Sequence, residues 1–120
     1  MAKDENEGEL ESIDDIEQKF RKIIKYGLVS EAKDFAERRE IKKSTQNAIA
    51  YDVFHDTVTR MSANKSILKH EVSIPIDIAH TFGFRAELKS HAGAAIHDYC
   101  KAKKDTSTLK RIKQEFPEYF

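Results

Sequence analysis

Apolar residues in this chain return every three or four positions, and very little interrupts them. Ile13, Ile16, Phe20, Ile23 and Ile24 repeat at the spacing that lines one side of an α-helix. Only two prolines and four glycines punctuate 120 residues, too few for the turns that many short strands need. The pattern predicts helices over 12–26, 30–43, 45–62, 76–82, 85–104 and 107–116. Ser12 with Asp15 forms a capping box for the first, and Gly27 stands where a C-capping glycine belongs. Ser30 is expected to cap the second, and Ser44 or Thr45 to restart or kink the path. Ala48, Ile49, Tyr51, Val53, Phe54 and Val58 cover a face wide enough for a central helix packed on two sides. Pro75 suits the first turn of the fourth helix and Gly83 its end. Thr106 or Ser107 is expected to cap the last, which stops at Pro117.

One segment breaks the helical period. Leu68, His70, Val72 and Ile74 alternate with Lys69, Glu71 and Ser73, the spacing of a half-buried strand. It is expected to be an extended linker near 67–74, or a strand pairing across a dimer. The fold class is therefore all-α, a compact bundle of five to six helices with one short extended segment. At this length a single domain is expected over 12–120.

Composition excludes several classes. No apolar run approaches the roughly 18 to 20 residues of a membrane span, and the opening MAKDENEGEL is too acidic for a signal peptide. The single cysteine, Cys100, has no partner for an internal disulfide, so a reducing cytoplasm is the expected location. The formal charge is zero, but it is unevenly divided. Residues 1–17 hold eight carboxylates against Lys3, a net of −7, and the remainder carries +7. Residues 1–11 read as a disordered acidic leader, able to compete with phosphate for a basic body.

The candidate motifs lie in the second half. Ile78 to His91 has the spacing of two helices crossing at Ala79 and turning at Gly83, as in a helix-turn-helix. Arg85, Glu87, Lys89 and Ser90 would then face a major groove. Lys89 departs from that pattern, which expects a buried aliphatic residue there. The ordinary alternative is a plain helix–glycine–helix corner. Arg85 and His91, with five residues between, are similar to the R-x(4–6)-H signature of the HEPN superfamily of small helical ribonucleases. The resemblance spans seven residues and departs from the family at Ala86, where a polar residue is usual. It implies that His91 moves a 2′-hydroxyl proton while Arg85 stabilises the phosphorane. His97 and Cys100 are helical neighbours, but a packed thiol is expected rather than a nucleophile. No H-E-x-x-H spacing and no second cysteine point to a metal, and no phosphate loop is present. No cofactor or metal is expected.

Cations form the broadest lead. Lys101, Lys103, Lys104, Lys110, Arg111 and Lys113 fall within thirteen residues, against Asp105. Two further groups are Lys19, Arg21, Lys22 and Lys25, and Arg38, Arg39, Lys42 and Lys43. The leading expectation is a non-enzymatic helical protein that grips nucleic-acid backbone, DNA or RNA, with low specificity. It could equally be a small helical subunit of a nucleoprotein complex. Arg85 and Lys89 are secondary contacts. The alternatives are a protein-interaction adaptor and the HEPN-like ribonuclease. The adaptor would use the small residues 92–95 and segment 68–74 to bind a protein partner or a second copy of the chain.

Overall fold

The computed structural model describes residues 12–120, and the acidic leader 1–11 lies outside the described residues. Within them six α-helices form the expected all-α bundle: α1 (Ile13–Lys25), α2 (Val29–Arg38), α3 (Lys43–Ser62), α4 (Ile74–Thr81), α5 (Ala86–Lys103) and α6 (Thr106–Glu115). Two single 3-10 turns, Lys69–Glu71 and Pro117–Tyr119, complete it. No strand occurs among the described residues.

One local device stops five of these helices. Gly27, Glu40, Asn64, Gly83 and Lys104 all have positive φ, from 57° to 87°. The following residue then donates its N–H to a carbonyl five positions back: Leu28 to Ile23, Ile41 to Ala36, Lys65 to Arg60, Phe84 to Ala79, Asp105 to Cys100. This is the Schellman closure, which satisfies carbonyls the helix leaves orphaned. It explains why α2 ends at Arg38 rather than near 43. Glu40 takes the left-handed turn, Ile41 folds back against the core, and the Ile41 carbonyl accepts from Gln46 Nε2 at 2.8 Å. Ser30, Ser44 and Thr45 cap nothing, for Leu28 and Lys42 hold the N-cap positions of α2 and α3 without a side-chain hydrogen bond. Ser12 does cap α1, accepting from Asp15 N–H at 3.0 Å.

α4 is the keystone of the packing. Ile74, Pro75, Ile76, Ile78 and Ala79 are all buried, because α2, α3 and α5 enclose it on several sides. A helix apolar nearly all round has to sit inside. α3 packs against α1, α4 and α5, as its broad apolar face implies, and buries Ile49, Ala50, Val53, Phe54, Val58 and Met61. Tyr51 and Ala48, expected inside, are exposed.

The alternating segment is not a strand. Residues 65–68 form no regular element, with Leu68 extended, but Lys69–Glu71 make a 3-10 turn and Ile74 already belongs to α4. The Glu71 carboxylate decides this. It accepts from Leu68 N–H at 2.8 Å and pairs with Arg60 at 2.9 Å, closing the turn locally and tying it to α3. Burial alone would raise the Glu71 carboxyl, but the bonds from Arg60 and Leu68 outweigh it and hold it below the ordinary range.

Within the small-residue stretch of α5, Gly93 is covered by the chain itself while Ala94 stays exposed. A Cβ on Gly93 would lie 2.0 Å from the Tyr119 carbonyl oxygen, so the C-terminal turn packs against the helix at that position. Gly93→Ala is therefore expected to cost about 1–3 kcal/mol through overpacking. Glu40→Gly should do the opposite, because glycine removes the left-handed penalty of roughly 1 kcal/mol. Urea melts of the two variants should shift in opposite directions.

Candidate nucleic-acid interface

The α5–α6 corner holds three of the expected cations. Lys101 and Lys103 lie in the last turn of α5, about 160° apart round the helix, and Lys104 takes the left-handed stop. Asp105, not Thr106 or Ser107, caps α6. Its Oδ1 accepts from Thr108 N–H at 3.2 Å and from Ser107 Oγ at 3.3 Å. Those bonds, Thr108's first, hold its carboxyl below the ordinary range. The acidic group in the cluster is thereby engaged in capping.

Two residues that sequence reasoning left out join this end. Tyr99 Oη accepts from Ile67 N–H at 3.1 Å, and Lys103 Nζ reaches the Asn64 carbonyl at 3.5 Å. These contacts dock the 64–69 segment on the end of α5. Lys69 comes close enough to Asp105 to lower its carboxyl electrostatically, and exposed Lys65 follows Asn64 in the same segment. The alternating pattern disguised Lys69 as a strand residue, and Lys65 fell just before that segment.

The other expected cations are dispersed. On α6, Arg111 and Lys113 are about 160° apart round the helix. Arg111 lies on the Asp77 side, while Lys113 Nζ sits 5.7 Å from the Phe120 ring. Lys103 Nζ lies 5.7 Å over Tyr99. Lys101, Lys104 and Lys110 are exposed and make no ion pair among the described residues. The α6 cations and the α5 corner therefore do not form one continuous face.

The α4–Gly83–α5 corner is present, with Ala79 fully buried and Gly83 at φ 65°. Lys89 resolves its mismatch with the helix-turn-helix pattern by lying half-buried, its Nζ 5.9 Å from the Tyr119 ring. The alkyl stem covers apolar surface and the charge stays at the rim. Arg85 is the N-cap of α5, 76% exposed, with Glu87 at 3.8 Å. His91 lies about 120° round the helix from it and about 9 Å along the axis. Within one chain the two do not converge. Cys100 is buried, and that burial raises its thiol, with Asp105 adding to the effect. His97 instead meets Asp98 at 3.3 Å. Among the described residues no cluster of His, Cys, Asp or Glu could hold a metal, and no helix is long and apolar enough to cross a membrane.

One titrating group stands out. Burial pushes the Asp77 carboxyl from an ordinary 3.8 to about 6, with nearby Glu115 adding to the rise and Ser73, His80 and Arg111 opposing it. A raised carboxyl favours the protonated folded state. Stability is thus lost as pH climbs from about 4 to about 6, and stays lower above that. Asp77→Asn should melt higher than the parent at pH 8, with the advantage shrinking at pH 4. A difference independent of pH would contradict the burial argument.

No protein-family model, no curated protein and no solved structure matches the chain.

Proposed function

We propose that this is a non-enzymatic helical protein that grips nucleic-acid backbone through the corner where α5 meets the 64–69 segment. The observation that carries the reading is the docking of the 64–69 segment, which bears Lys65 and Lys69, on the end of α5, with Asp105 turned to capping. Cations brought to one corner from two segments suit phosphates, and phosphate contacts carry no base information. Lys110, Arg111 and Lys113, dispersed round α6, are secondary contacts. Arg85 and Lys89 lie on α5's opposite end and contribute less, because Glu87 and the Tyr119 ring engage them. The acidic leader, with five carboxylates and Lys3 in residues 1–11, competes with phosphate for the corner. A reducing, cytoplasmic setting suits the packed Cys100 thiol.

A second reading, a protein-interaction adaptor, draws on exposed apolar groups, one of them in the same 64–69 segment. Tyr26 and Leu28 are 70% and 48% exposed and Leu68 63%. Gly27 lies beside His70, with a built Cβ 3.6 Å from its ring, so these apolar groups fall on neighbouring loops. Exposed apolar groups in one region favour a protein partner.

Replacing Lys69, Lys101 and Lys104 together by Gln is expected to weaken binding uniformly across sequences. It should also flatten the dependence of log affinity on log salt by roughly 2 to 3. Fluorescence anisotropy across a salt series measures both. An unchanged slope and affinity would move the adaptor reading to first place.

A further inference from the structure

Tyr51 is a surface tyrosine held by other rings. It is 44% exposed on α3, yet its ring lies 6.1 Å from buried Phe54, nearly parallel at 19°. Phe84 stands 6.2 Å from it, and Phe54 and Phe84 meet edge to face at 5.6 Å. His55, exposed on the same helix, is tilted at 6.0 Å. A ladder of rings thus climbs from the core to the surface. A ring braced this way loses little freedom when a ligand stacks on it.

Both ends of the ladder carry cations. Arg85 follows Phe84, is 76% exposed and faces Glu87 at 3.8 Å. Beyond His55 lies a cleft of about 400 Å³ whose lining includes Arg21, Lys25, Asp52 and Asp56. Arg21 pairs with Asp52 and Asp56 with Arg60 at 3.2 Å, which leaves Lys25 without an ion pair among the described residues. Aromatic groups between cations are the arrangement that holds an unpaired strand, whose bases stack while its phosphates meet the charges. Duplex bases are stacked within the helix and offer no free face. The local charges are nearly balanced, so stacking outweighs the phosphate term here.

We propose that Tyr51 and His55, with Phe84 bracing Tyr51 from beneath, form a stacking platform for single-stranded nucleic acid. The inference rests on the nucleic-acid reading above but uses a different surface from the lysine corner. The two surfaces therefore leave different signatures in one experiment.

The probe is a short labelled strand of deoxythymidines, compared with a duplex of the same length, over a salt series. Tyr51→Ala should weaken single-strand binding about fivefold or more, leaving the salt slope and duplex affinity unchanged. Tyr51→Phe should keep the affinity while removing most of the tyrosine quenching. That signal is readable because the chain has no tryptophan, Tyr99 and Tyr119 are buried, and Tyr26, 70% exposed, contributes equally to parent and variant. Full affinity in Tyr51→Ala would overturn the platform and assign the rings to a protein partner, with the lysine corner standing if its slope persists. A Tyr51-dependent affinity whose slope ignores the lysine substitutions would sustain the platform and overturn the corner. A parent protein that binds neither strand nor duplex overturns both.

Discussion

The geometry of the bundle depends on how its helices stop. Five left-handed residues, each followed by an N–H reaching back five positions, fix where α1 to α5 end and in which direction the chain leaves. Apart from the eleven residues between α3 and α4, the connections are only a few residues long, so those exit directions set how each helix meets the next. Two of the stops are glycines and incur little strain. Glu40, Asn64 and Lys104 each hold a side chain in a region that disfavours it, at about 1–2 kcal/mol apiece and less for Asn. Tertiary packing has to offset that cost. Ile41 entering the core after Glu40, and the Asp105 cap after Lys104, are where it does so.

This constraint also explains what could be read in the sequence. Helical periodicity and the stops at Gly27 and Gly83 were visible, because apolar spacing and glycine are local signals. The end of α2 was not, since nothing in ERREIKK marks Glu40 as the residue that turns left-handed. The cap of α6 shifted to Asp105 because the Lys104 stop brings the carboxylate into line with Thr108. The segment 67–74 misled for a related reason. Its alternation is real, but Arg60, eleven residues away from Glu71, supplies the contact that closes it into a turn.

The candidate site was legible in the same partial way. Lysines crowded from 101 to 113 were plain, and the structure places Lys101, Lys103 and Lys104 at the end of α5, with Arg111 and Lys113 dispersed round α6. Lys65 and Lys69 were hidden, because their place depends on a hydrogen bond from Ile67 to Tyr99, thirty-two residues on. Tyr51 was misplaced inward because its spacing matches the core of α3. Only the packing of Phe54 and Phe84 beneath it shows that the ring is supported yet exposed. In both cases long-range contacts convert ordinary side chains into a shaped surface.

The central claim is that the 64–69 segment and the end of α5 act as one phosphate-binding corner. Backbone amide shifts of isotopically labelled protein, followed during titration with a short oligonucleotide, test it most directly. The expected result is a set of perturbations concentrated at 64–69 and 101–105, moving together with one affinity and fading as salt is raised. Perturbations absent from both segments, or present in one with the other silent, would contradict it.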